Sequence, residues 1–220
     1  MNICDFEAVT LVDYQGVIAS VIFTSGCNLR CRFCHNPELV IGKSQNKTAE
    51  FLKYIKSSKV DGVSVTGGEP LINKDLPDFL GQIKDLGLKV KLDTNGFLPE
   101  LLEKVLENNL ADYLAIDVKG LNDDEVKYIT RRDVEIESFY KTLNLAKKYS
   151  VDFELRLTVW KTFDEENIKT FCQKISDSKL YLQRARKDGI LDKRFSANIG
   201  NVDFNKVKES FEKYKKIFVR

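Results

Sequence analysis

A chain of 220 residues with 43% apolar residues can bury one sizeable core, and residues 1–220 read as a single domain. Its 35 Lys and Arg against 33 Asp and Glu leave a formal charge of +2, which argues against nucleic acid or an acidic membrane as the partner. No apolar run approaches the roughly 20 residues that span a bilayer. The first stretch carries Asp5, Glu7 and Asp13 and lacks the basic start and apolar run of a secretory signal, so a cytoplasmic protein is expected.

The first β-rich run is VIASVIF (17–23), followed by GCNLRCRFCHNPEL (26–39). Further β-rich runs are GVSVT (62–66), KVKLD (89–93), YLAID (113–117), FELRLTV (153–159) and KLYLQ (179–183). Apolar residues spaced by three and four predict helices over 48–58, 76–86, 98–109, 136–149 and 164–175, with a last helix over 203–217. The longest irregular segment, RARKDGILDKRFSANIGN (184–201), is expected to lie over the functional site. Strands alternating with helices imply an α/β fold with parallel strands and outer helices, either a partly closed barrel or a doubly wound sheet. In both, functional groups gather beyond the C-terminal ends of the strands. The cysteines, TGGEP, DTNG and DVK all fall there.

Cysteines stand at 4, 27, 31, 34 and 172. An odd, clustered set suits a reducing compartment and a metal site better than a disulfide framework. Cys27, Cys31 and Cys34 form C-x3-C-x2-C on a loop after a strand. Thiolates are soft ligands, and three of them can each hold one iron of a [4Fe–4S] cubane, leaving the fourth iron open. The alternatives are a zinc site and unligated thiols. Structural zinc wants four closed ligands, and His35, adjacent to Cys34, is awkwardly placed to complete that tetrahedron. Cys4 and Cys172 read as structural.

Gly67, Gly68 and Glu69 follow the second β run, where glycine permits a close approach to a ligand and a carboxylate accepts from an ammonium. The same residues also make an ordinary strand-end turn. Asp93, Thr94 and Asn95 end the third run, and Asp117 with Lys119 ends the fourth. Two carboxylates with a hydroxyl between them suit a hard cation, although Asp and Asn also start turns and cap helices.

The cysteine triplet with Phe33 before its last cysteine, joined by GGEP at 67–70, resembles the radical S-adenosylmethionine (SAM) enzymes. GCNLRCRFCHNPEL, VDYQG, DTNG, AIDVK and YLQRAR resemble the activating enzymes of glycyl-radical proteins, most nearly those of anaerobic ribonucleoside-triphosphate reductase. That resemblance implies a partial (β/α)6 barrel and a [4Fe–4S] cluster on Cys27, Cys31 and Cys34. It implies SAM bound at the open iron, with Gly67, Gly68 and Glu69 toward its amino group. Phe33, His35, Asn36, Asn95, Lys119 and Arg156 are the further expected cofactor contacts, and Asp93, Thr94 and Asp117 the expected holders of a monovalent cation. The implied partners are a glycyl-radical enzyme and an electron donor such as flavodoxin or ferredoxin. Reductive cleavage of SAM would give methionine and a 5′-deoxyadenosyl radical, which takes hydrogen from a glycine of the partner.

The chain departs from its relatives in three places. Gln15 replaces the usual proline of D-Y-P-G, no histidine exists outside position 35, and no cysteine-rich insertion follows Cys34. Lack of a late histidine sets it apart from the pyruvate formate-lyase type of activator. That type, a small-molecule synthase of the 7-carboxy-7-deazaguanine kind and a non-catalytic iron–sulfur or zinc module are the alternatives.

Overall fold

The computed structural model describes residues 1–41 and 46–220. Strands β1 (Ile3–Thr10), β2 (Ala19–Thr24), β3 (Gly62–Gly67), β4 (Lys89–Thr94), β5 (Tyr113–Val118), β6 (Asp152–Val159), β7 (Leu180–Arg184) and β8 (Ile217–Val219) form one sheet in chain order. β1 runs antiparallel to β2, and every later pair is parallel. A doubly wound sheet reverses its order at a switch point. This one never does, and β1 and β8 remain edges, so the arrangement is an open, partial barrel.

The helices are α1 (Pro37–Ile41), α2 (Thr48–Ile55), α3 (Leu76–Asp85), α4 (Pro99–Glu107), α5 (Asp123–Thr130), α6 (Ile136–Lys148), α7 (Glu165–Lys174), α8 (Ser196–Gly200) and α9 (Phe204–Glu212). Their starts are written locally. Pro77 and Pro99 stand in the first turns of α3 and α4, while Asn122 and Asp164 accept from backbone N–H groups of α5 and α7. In α4, Leu102, Val105 and Leu106 are buried on one face, each worth about 1.5–3 kcal/mol relative to exposure.

Register sorts the strand residues into rows. Val65, Leu92 and Leu114 lie side by side, as do Ile116, Leu155 and Leu180; all are buried and belong to the apolar core. The alternate rows are polar apart from Ala115: Ser64, Lys91 and Tyr113; Asp93, Ala115 and Glu154; Asp117, Arg156 and Tyr181. Period-two alternation therefore gives the barrel an apolar layer and a charged lumen.

Six parallel strands match the β-rich runs of the sequence. β1 was not expected, because as an edge strand it exposes Asp5, Glu7, Ala8 and Val9 and is interrupted by register shifts. The last helix stops at Glu212, where residues 217–219 pair with β7 instead of extending the expected helix.

Candidate active site

The cysteine loop leaves β2 at Thr24 and is held on both flanks by backbone hydrogen bonds. On one side Arg30 N and Arg32 N donate to the carbonyls of Thr130 and Ile129 at the end of α5, both at 2.9 Å. On the other, Leu191 N donates to Cys34 O at 2.8 Å and Asp192 N to Arg32 O at 3.0 Å. An Arg32–Asp192 ion pair at 2.5 Å reinforces that contact. The irregular segment 184–201 thus does lie against the cysteine loop, and it includes a short 3-10 turn and α8.

Cys31 is buried, whereas Cys27 and Cys34 are half-buried. Burial pushes all three thiols up, Cys31 to about 12, against the opposing pull of the Lys119 ammonium. Backbone N–H groups of Leu29 and Asn36 point at the sulfurs of Cys27 and Cys34 and favour their thiolates. The three sulfurs feel one another's charge. Among the described residues, however, no three His, Cys, Asp or Glu side chains converge on a single metal ion. Three soft donors on one short loop suit a cluster, one thiolate per iron, better than a zinc tetrahedron, which wants a fourth closed ligand. Cys4 and Cys172 lie in β1 and α7.

Gly67 ends β3 and Gly68 follows it, both against this loop. A Cβ on Gly68 would stand 1.8 Å from the carbonyl oxygen of Gly26, and one on Gly67 would stand 2.2 Å from Thr24 N, with φ at +120°. The close approach they permit is to the cysteine loop itself. Glu69 turns inward with no exposed surface, and its carboxylate accepts from Asn95 N at 2.7 Å, Thr94 Oγ1 at 3.0 Å and Leu71 N at 3.3 Å. Burial outweighs these donors and raises its pKa to about 7. Asn95 continues the network, donating to Asn28 Oδ1 at 2.7 Å.

Asp93, Asp117, Lys119 and Arg156 meet in the lumen as a ladder of alternating charge. Arg156 Nη2 reaches Asp93 Oδ2 and its Nε reaches Asp117 Oδ1, both at 3.0 Å. Lys91 takes the other oxygen of Asp93, and Lys119 the other oxygen of Asp117 at 3.0 Å. Burial would raise the Asp93 carboxyl, but Arg156 and Lys91 outweigh it and hold it at about 2. Burial would lower Lys119, but Asp117 and the Cys31 thiol outweigh it and raise it. The Lys119 ammonium also stands 5.6 Å from the centre of the Phe33 ring, linking the ladder to the cysteine loop.

Every carboxylate oxygen of Asp93 and Asp117 thus carries a basic side chain, and Thr94 Oγ1 is engaged by Glu69 and Gly96 N. His35 is exposed at the rim, where crowding by the loop and then the charge of Arg186 lower its affinity for a proton. The sequence reading missed Lys91, Asn28 and Asp192. Alternation in KVKLD was the available signal for Lys91; the other two act across sequence separations that no local pattern encodes.

Residues 21–175 match the sequence pattern of the radical SAM superfamily. The chain belongs to the radical SAM superfamily. A Methanocaldococcus jannaschii protein provisionally named a glycyl-radical enzyme activating enzyme is 35% identical over 191 residues, covering 84% of this radical SAM chain and 80% of the relative. A pyruvate formate-lyase-activating enzyme from Clostridium pasteurianum is 34% identical over 139 residues, covering 59% and 57% of the two chains. Together these place the radical SAM chain in the glycyl-radical-enzyme activating family. Its fold resembles Streptococcus suis SuiB bound to precursor peptide SuiA, with a TM-score of 0.68 at 16% identity over 91% of this chain and 48% of that one. Radical SAM enzymes use a [4Fe–4S] cluster and SAM, and these are the cofactors of this chain.

Proposed function

We propose that this enzyme generates a glycyl radical on anaerobic ribonucleoside-triphosphate reductase, with residues 1–220 acting as one catalytic unit. The observation that carries the reading is three partly desolvated thiols on one loop, set directly over the Gly67–Glu69 turn and beside the charged strand ends. Cys27, Cys31 and Cys34 hold the cluster and leave one iron for SAM. When bound, the cluster and SAM supply a one-electron reductive cleavage to methionine and a 5′-deoxyadenosyl radical, which takes a hydrogen atom from a glycine Cα.

The chain's own residues orient and shield. Phe33, His35 and Asn36 shape the loop side of the SAM site, and Gly67 with Gly68 presents backbone toward the amino group. The Glu69 carboxylate serves from behind, tying the turn to Thr94 and Asn95. Lys119 and Arg156 supply fixed positive charge at the strand ends for the carboxylate of SAM, with Asp93 and Asp117 holding them in place. The absence of a histidine after β7 favours the reductase as partner; the Clostridium pasteurianum relative supports pyruvate formate-lyase as the second reading.

Low-temperature electron paramagnetic resonance tests the proposal on protein reconstituted and reduced without oxygen, mixed with SAM and the reductase from the same source. A SAM-dependent glycyl doublet is expected. A cluster signal that responds to SAM without any doublet would remove the reductase as partner, and a doublet on pyruvate formate-lyase would establish the second reading.

A further inference from the structure

Lys91 is a buried lysine in the middle of a sheet, a place where lysine is rarely found unless its charge is paired. Its neighbours Val90 and Leu92 turn into the apolar core, so the alternation of β4 sends Lys91 into the lumen, between Ser64 of β3 and Tyr113 of β5. There its ammonium donates to Asp93 Oδ1, two residues along the same face, while Arg156 holds Oδ2 of the same carboxylate. A carboxylate is a planar fork, so fixing one oxygen fixes where the other points. Lys91 thereby sets the direction from which Asp93 meets the Arg156 guanidinium.

The charge count gives this pairing a purpose. The ladder sets Lys91, Arg156 and Lys119 against Asp93 and Asp117, three cations and two carboxylates. One positive charge is left over at the strand ends, which matches one carboxylate of a ligand. Lys91 lies deeper in the lumen than Arg156, since β4 and β5 align it with Tyr113 whereas Arg156 aligns with Asp117. Its charge therefore acts on the strand ends through Asp93. Without it, Asp93 and Asp117 would neutralise Arg156 and Lys119 completely. Beside Lys91, the Ser64 hydroxyl is buried and has no hydrogen-bond partner among the described residues. With the ammonium removed, Asp93 Oδ1 and Ser64 Oγ would border one space, and such oxygens are the donors that a small hard cation takes.

We propose that Lys91 is a positioning residue of the SAM site, a built-in counter-ion that does the work of a dissolved monovalent cation. It satisfies Asp93 from below and leaves the charge of Arg156 for the carboxylate of SAM. The inference rests on the proposed function, in which Arg156 and Lys119 meet that carboxylate.

Lys91→Met keeps the length of the side chain and removes its charge; Lys91→Gln also keeps a donor for Asp93. Both are compared with the wild type in potassium, sodium and N-methylglucamine chloride at equal ionic strength, so that screening is the same throughout. In metal-free protein the urea midpoint of the wild type should not depend on the salt. Those of the variants should be lowest in N-methylglucamine and rise in potassium or sodium, because an ion that binds only the native state stabilises it. In reconstituted protein reduced by dithionite, the KM for SAM of both variants should rise on the order of tenfold in N-methylglucamine, with kcat nearly kept, and recover with the small ions. A KM unchanged in every salt would overturn the proposal. So would a loss of stability or of SAM affinity that is the same in all three salts, which is what a merely structural lysine gives. Failure of the wild type to cleave SAM in any salt refutes the proposed function instead, and the salt response of the metal-free variants then still decides whether Lys91 stands in for an ion.

Discussion

Cys31 is the most enclosed of the three thiols, and burial holds it protonated at neutral pH until a metal replaces the proton. Cys31→Ala should leave one iron without its thiolate and abolish 5′-deoxyadenosine production while the protein still folds. Full product yield from that variant would refute the ligand assignment. Glu69 gives a prediction of opposite character, because its folded-state pKa is raised from 4.5 to about 7. Between those values the native state keeps a proton that the unfolded chain has released, so stability of the metal-free protein falls as pH rises through that window. The loss is on the order of 3 kcal/mol, and Glu69→Gln should flatten it in urea titrations at pH 4.5 and 7.5. An unchanged slope would show that another group carries it. Because protein cations occupy Asp93 and Asp117, replacing sodium and potassium by N-methylglucamine should leave the rate of SAM cleavage unaltered. A large loss would mean that an ion displaces Lys91, Arg156 or Lys119. These residues show what the sequence made legible. C-x3-C-x2-C and the strand-end acids could be placed by spacing alone. The inward turn of Glu69 and the occupancy of both aspartates depend on pairings between strands that are far apart in sequence.

The parallel strands and most of their helices were legible because each strand is a β-rich run, apolar or alternating, and most helices show a three-four pattern, signals contained within a dozen residues. The unexpected elements lack that redundancy. β1 is amphipathic only in part, β8 has three residues, and the short α5 buries Glu125 alongside Val126 and Ile129. α5 nonetheless matters to the site, since its last carbonyls fix the cysteine loop. The end of β3 is the other element on which that loop rests, and it tolerates no side chain at Gly68. A Cβ there meets a backbone oxygen of the loop, which cannot rotate aside. Gly68→Ala should therefore destabilise the fold by about 3 kcal/mol, as severe overpacking does. Iron content after anaerobic reconstitution should fall with it, because the element displaced is the one that carries Cys27. Wild-type urea stability together with full iron content would show that the loop rides over the strand end more loosely than this contact implies.

Across the whole molecule, the lumen is charged in two tiers, and in each the buried charges are balanced by protein partners. The upper tier is the ladder of Asp93, Arg156 and Asp117 beneath the SAM site. The lower is Glu154, fully buried on β6, which accepts from both Nη atoms of Arg220 at 2.5 and 2.8 Å and from the Tyr113 hydroxyl at 3.1 Å. Arg220 follows β8, and its guanidinium also lies 4.5 Å from the centre of the Tyr181 ring. The residue after the last strand thereby reaches past β7 to neutralise a residue of β6 two positions from Arg156. Removing one partner of a buried pair leaves a charge uncompensated, which costs about 3–5 kcal/mol. Because Arg220 is partly exposed and Tyr113 remains, Arg220→Ala should fall at the lower end of that range. The second variant, Glu154→Gln/Arg220→Ala, should recover part of the loss, since no charge is then left buried. If the double variant is less stable than Arg220→Ala by the full cost of Glu154→Gln alone, the two residues are uncoupled, and the barrel is held on that side by β7–β8 pairing rather than by charge.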